Sequence, residues 1–156
     1  MQESAITIRT LAKTEEMPYP LLLLADPDRA AIDAYLSDSS IFVAEKAGET
    51  IGVYVLFMHS RQRAEIKNIA VDLPYQGFGI GKLLLLHAIE EAKNRGAKLL
   101  EIATGNTSTG PLHLYQKMGF TISQVLPGYF TKNYPEPIIE NGQLCTDQII
   151  LTKILS

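Results

Sequence analysis

Val71-Asp72-Leu73-Pro74-Tyr75-Gln76-Gly77-Phe78-Gly79-Ile80-Gly81-Lys82 is the stretch that decides how this chain folds. An apolar strand runs into a turn, then into a glycine-spaced loop, then into an unbroken helical run. Glycines at 77, 79 and 81 leave several backbone N–H groups uncovered where a helix begins, an arrangement that binds phosphate. A plain tight turn would use the same three glycines. Two familiar phosphate patterns fail on spacing. The dinucleotide fingerprint G-x-G-x-x-G, started at Gly77, needs a third glycine where Lys82 stands. A P-loop ending in Gly81-Lys82 would put Gln76 at its first glycine and Leu83 at its metal-binding hydroxyl. The pattern that fits is Gln-x-x-Gly-x-Gly at Gln76, Gly79 and Gly81.

Working outward, 156 residues predict one domain, 1–156, with a real core. The chain is 46% hydrophobic and 20% charged, with a formal net charge of −3. It has no Trp and no Lys/Arg run, so no nucleic-acid partner is expected. The single Cys145 makes no intrachain disulfide, which favours a reducing, cytoplasmic setting. No activating base is evident beside it, so a structural thiol is expected rather than a nucleophile. Met1-Gln2-Glu3-Ser4 lacks the basic start of a signal peptide. The leucine runs 21–24 and 83–86 fall far short of the roughly 20 residues of a membrane span, so no membrane partner is expected.

Ile6 to Arg9 predicts a first strand, Tyr19 to Ala25 a short helix, and Asp28 a cap for a second helix through Leu36. Ile41 to Glu45 and Thr50 to Met58 predict a hairpin, and Ala64 to Val71 a third strand of a meander. Alternation groups Glu65, Lys67, Ile69 and Val71 on one face and Ile66, Asn68 and Ala70 on the other. Ile80 to Arg95 is the central helix. Ile80, Leu83, Leu84 and Ala88 form its inner stripe, Leu85, Leu86 and Ile89 widen it, and Gly96 ends it. Lys98 to Thr104 follows a crossover helix and should pair in parallel with the strand before it. Ser108 or Thr109 caps a short helix begun by Pro111; Phe120 to Val125 and Asp147 to Ile154 are strands. Leu126 to Gln143 reads as a long irregular connection. The order is β-α-α-β-β-β-α-β-α-β-β: an α/β (α+β mixed-sheet) class with helices on both sides of one mixed sheet.

That order resembles the GNAT acetyltransferase fold, a three-layer α/β/α arrangement around a splayed sheet. Asn68-Ile69-Ala70-Val71 with Gln76 to Gly81 is similar to the family's motif A. Leu100-Glu101-Ile102 with Asn106, and then Leu114-Tyr115-Gln116-Lys117-Met118-Gly119-Phe120, is similar to its motif B. The resemblance implies an acetyl-CoA-dependent N-acetyltransferase. The N–H groups of Gly77, Phe78, Gly79, Ile80, Gly81 and Lys82 would hold the pyrophosphate, with Gln76 as an added donor. Ile69, Ala70 and Val71 would carry the pantetheine, mainly through the backbone of Ile69 and Val71. An N–H there would polarise the thioester carbonyl.

Direct transfer to an amine needs a base and a proton for the leaving thiolate. Tyr115 matches the family tyrosine that supplies the proton and touches the cofactor; core packing is its other reading. Glu101 stands five residues before Asn106, as the basic glutamate does in the ribosomal-protein alanine acetyltransferases. A salt bridge to Lys67 would explain Glu101 equally well. Lys67 itself stands where many members carry a carboxylate, and Glu65 lies roughly 6.6 Å further along the strand, so the base stays open between Glu101, Glu65 and a water. Asn106 would bond the pantetheine, order its loop, or simply form a turn. The stretch Asn106 to Tyr115 is two residues longer than in the alanine-acetylating relatives.

His87 is expected in the core, and His59 and His113 stand isolated, so no metal site is predicted. Tyr19 to Leu36 and Gly128 to Cys145 should shape the acceptor site, where Tyr129, Phe130, Tyr134, Glu136 and Glu140 would suit a cationic small-molecule or peptide amine. A monomer or a homodimer fits. The alternative functions are a CoA-binding sensor without turnover and a small structural domain.

Overall fold

Why these residues become these elements is clearest at the caps and crossovers. The computed structural model describes residues 5–156, so the reading of Met1 to Ser4 lies outside the described residues. Strand β1 (Ile6–Thr10) leads into α1 (Tyr19–Ala25), which carries Pro20 in its first turn, where a missing N–H costs nothing. Helix α2 (Arg29–Leu36) starts where the Asp28 side chain accepts from Ala30 N. The meander is β2 (Ser40–Lys46), β3 (Glu49–Met58) and β4 (Arg63–Val71). A three-residue 3₁₀ turn, Leu73–Tyr75, then precedes α3 (Ile80–Asn94), which Gly96 terminates at a φ of 89°.

The rest is β5 (Leu99–Gly105), α4 (Thr109–Lys117), β6 (Thr121–Leu126), α5 (Tyr129–Asn133), β7 (Ile139–Glu140), β8 (Gln143–Leu144) and β9 (Gln148–Ile154). The connection expected to be irregular therefore holds a helix and a hairpin. Asn141 and Gly142, with φ of 53° and 73°, make the hairpin turn, and that dipeptide is its signal in the sequence. Elements of two to five residues are too short to show a period. Ser108 precedes α4 as expected but makes no capping bond; its Oγ donates to Glu140 instead.

Seven strands form one sheet in the order β1-β2-β3-β4-β5-β9-β6. Every neighbouring pair is antiparallel except β4 and β5, which α3 joins as a crossover. That parallel pairing is short: Arg63–Ile66 against Leu99–Ile102. Beyond it the two strands part. β5 keeps β9 along its whole length and β4 keeps β3 as far as Val71 against Gly52. The gap is the expected splay.

A bulge corrects the expected alternation. Val55 faces Asn68 and Leu56 faces Ile66, so Lys67 is the extra residue on β4. Ala64 and Ile66 consequently point into the core under α3, with Ile69 and Val71 packed at its edge. Asn68 and Ala70 point to the α1–α2 side, as Glu65 does. Ile66 does not share a face with Asn68, because one inserted residue reverses the period-two count.

Two apolar cores cover the two faces. Leu22, Ile32 and Leu36 pack on Val43, Val53 and Val55. On the other face Ile80, Leu84, Leu85, Ala88 and Ile89 pack with Tyr54, Leu100, Ile102 and Tyr115. Leu83 and Leu86 were expected inside; each is 42% exposed, because the helix centres its apolar face on the Leu84–Leu85 side. His87 lies at the edge of this core, its Nδ1 2.7 Å from the Tyr54 hydroxyl. Among the described residues no helix is long and apolar enough to cross a membrane.

Candidate active site

The glycine loop and the opened edge of β4 form one continuous run of backbone. Gly77 and Gly79 have φ of 85° and 83°, the left-handed region that only glycine enters freely. Gly79 is the N-cap of α3 and offers no side chain to its first turn. The leading N–H groups of a 15-residue helix are thus left without a side-chain cap. No protein atom lies within 4 Å of a Cβ built at either glycine, so this space is open. Gln76 Nε2 donates to Val71 O at 2.9 Å and ties the loop to the end of β4. Phe78 is 78% exposed and Lys82 is exposed.

Asp72 N donates to Ile51 O, which fixes the direction of the β4 backbone. By the two-residue period, Ala70 also turns its backbone toward β3, while Ile69 and Val71 turn theirs toward the gap. Ile69 N–H and C=O and Val71 N–H therefore line the splay. Of the three residues expected at the cofactor, Ala70 is the one placed away from the gap, its methyl buried on the α1–α2 side.

Helix α4 reaches the loop: a Cβ on Gly81 would sit 3.8 Å from Leu114. The next residue, Tyr115, is buried, its ring 6.3 Å from that of Phe120. Among the described residues its hydroxyl has no hydrogen-bond partner, and burial pushes its pKa well above that of an ordinary phenol. Asn106 closes the other side of the gap. Its Oδ1 accepts from Thr146 N and Asp147 N, both at 3.1 Å, so its carbonyl orders the β9 entry and only its amide N–H groups remain for a ligand. Cys145 is buried against Gly105, where a Cβ would collide with its sulfur.

Parallel register sets Glu65 directly beside Glu101 at the foot of the splay. Glu101 pairs with Arg63 at 3.0 Å; the bridge to Lys67 considered as an alternative for it does not form. Lys67 instead bonds Glu65 at 3.1 Å, aided by the bulge. His59 Nε2 lies 2.6 Å from Glu65 Oε1, so a histidine that stands isolated in the sequence joins the cluster. The signal for it was the hairpin register, since His59 N donates to Arg63 O across the turn. His59, Glu65 and Glu101 would together suit a cation, but Arg63 and Lys67 already sit against the two carboxylates.

On the same face, Tyr134 OH donates to Asp26 Oδ1 at 3.0 Å and links the segment after β6 to the end of α1. Asn68 Nδ2 donates to Leu22 O and to Tyr35 OH, both at 3.0 Å. Two shallow grooves of about 270 and 310 Å³ open beside β1 and α1. Neither touches the glycine loop, the gap or Tyr115, so chemistry rather than concavity locates the site.

The Acetyltransferase (GNAT) family model matches residues 8–120. This chain belongs to the GNAT acetyltransferase family. GNAT relatives span its full length. The uncharacterized N-acetyltransferase YvbK of Bacillus subtilis is 43% identical over 151 residues, covering 97% of each chain. The crystal structure of a GNAT family acetyltransferase from Elizabethkingia anophelis, solved with acetyl-CoA bound, is 49% identical. It superposes with a TM-score of 0.94 over 96% of this chain and 98% of that one. The IAA acetyltransferase of Bacillus cereus is 47% identical with a TM-score of 0.93, over 97% of this chain and 100% of its own. The mixed sheet with its split between β4 and β5 is thus the GNAT sheet, and this GNAT chain is an acyltransferase by family.

Proposed function

We propose that this chain, as one domain, moves the acetyl group of acetyl-CoA to a primary amine by direct attack in a ternary complex. The observation that carries it is the run of uncapped α3 N–H groups together with the Val71 N–H and the Ile69 N–H and C=O that face the gap. A diphosphate followed by an amide-bearing arm matches that run group for group. The related structure that holds acetyl-CoA supports the same choice of donor.

In this mechanism the Ile69 N–H faces the thioester oxygen as negative charge develops. The amine enters from the α1–α2 face, opposite α3. Glu101 takes its proton through a water, and Glu65 with His59, 2.6 Å apart, leads from that cluster to solvent. Tyr115 returns a proton to the departing thiolate. Burial keeps the phenol protonated until the thiolate departs. The lone buried thiol of Cys145 fits a cytoplasmic setting.

Release of free thiol from acetyl-CoA over an amine panel tests this, with Tyr115→Phe and Glu101→Gln as controls. If neither change slows a confirmed turnover, the acid and base are wrong. One observation favours a CoA-binding sensor instead: Lys67 occupies the usual carboxylate position and Arg63 engages Glu101. A rise in melting midpoint with acetyl-CoA, without thiol release for any amine, selects that alternative.

A further inference from the structure

The polar floor on the α1–α2 face holds two carboxylate centres that differ in how their charge is met. Glu65 and Glu101 lie against Lys67 and Arg63. Asp26 has no cation among the described residues. Its carboxylate accepts from Tyr134 OH and Asp28 N, both neutral donors, and the Tyr35 side chain lies nearby. Burial raises its pKa above that of an ordinary carboxylate, against the hydrogen bonds that lower it.

Beside it stands the one buried side-chain polar atom that lacks a partner among the described residues, Asn68 Oδ1. Asn68 is 4% exposed. Its orientation is determined by chemistry: Leu22 O only accepts, so Nδ2 must face it and Oδ1 must face away. Both Nδ2 hydrogens are used, on Leu22 O and Tyr35 OH. The two residues are neighbours: Asp26 N and Asn68 Nδ2 both donate to Leu22 O, and Tyr35, whose hydroxyl accepts from Asn68, lies near the Asp26 carboxylate. A carboxylate met only by neutral donors and a carbonyl without a donor would both be served by one group, an N–H donor that carries positive charge. Asn68 also immediately precedes Ile69, whose backbone faces the gap.

We propose that Asp26 and Asn68 form a subsite for a second, positively charged amino group of the acceptor. The substrate class is then small diamines and other amines that carry an ammonium a few carbons from the attacking nitrogen. This rests on the transferase function proposed above. The Tyr134 hydroxyl sits on Asp26, and the ammonium takes its place there.

The test compares α,ω-diamines of three to eight carbons with the amino alcohols of equal length, using the intact chain and acetyl-CoA. For the best length, kcat/KM for the diamine should exceed that for the amino alcohol by about tenfold or more, the size of one charge-assisted bond. This comparison needs no variant, and equal values overturn the proposal. Asp26→Asn should bring the ratio near one. Tyr134→Phe, which removes a neutral donor and keeps the charge, should hold or widen it; an equal collapse in both variants overturns the proposal. If no amine of either series is acetylated while acetyl-CoA still raises the melting midpoint, it is the transferase function that fails. Calorimetry of the diamines into the CoA-saturated protein then decides the subsite: heat that Asp26→Asn abolishes supports it, and absence of heat overturns it.

Discussion

The donor side and the acceptor side of the splay are built from different parts of the chain. The donor side is backbone. It runs from Ile69 to Lys82, one unbroken segment, in which Gly77 and Gly79 leave the amides uncovered by side chains. The acceptor side is made of side chains from α1, α2, β4, β5, the turn after β3 and the segment after β6: Asp26, Tyr35, His59, Asn68, Glu101 and Tyr134. Backbone amides hold a constant ligand with little dependence on residue type. Side chains gathered from six places can be exchanged singly, so under the proposed function they are where the choice of amine would be set.

Several substitutions would break or sharpen this contrast. Gly79→Ala should be the most damaging. It forces a Cβ into left-handed backbone and into the open space over the α3 amides, so acetyl-CoA affinity by calorimetry should fall by about 100-fold. Tyr115→Phe should lower kcat by about 100-fold at saturating acetyl-CoA, with only a small change in calorimetric affinity. Glu101→Gln should lower kcat by about 10-fold or more and leave acetyl-CoA binding intact; an equal loss of binding would place Glu101 on the donor side. Asn106→Ala removes the acceptor shared by Thr146 N and Asp147 N and should cost about 1–3 kcal/mol in denaturant unfolding.

The smallest effect concerns Asp26. Its pKa is raised in the folded state, so between the ordinary carboxylate value and the raised one the folded chain holds more protons than the unfolded chain. Stability therefore falls as pH rises through that window. Melting midpoints measured from pH 4 to 7 should show this decline in the wild type and a shallower one in Asp26→Asn.

Much of this was legible in the sequence because it is local. The glycine spacing at 77, 79 and 81, the Asp28 cap and the Gly96 stop each depend on neighbours within a few residues. The bulge at Lys67 was not legible, since it arises from pairing with β3 rather than from any signal in β4 itself. That one residue moved Ile66 away from Asn68 and brought Lys67 to Glu65. Which cation Glu101 meets was not legible for the same reason: Arg63 and Lys67 are both near in sequence, and only the strand register chooses between them.

The chain's own order of residues thus determined a glycine-led, uncapped helix start and a crossover that makes β4 and β5 parallel, because turn chemistry and periodicity act over a few residues. Which carboxylates stand together, which of them meets a cation, and which buried carbonyl goes without a donor were decided only by tertiary structure. Those facts depend on distances between segments as far apart as Asp26 and Tyr134, which sequence spacing does not encode.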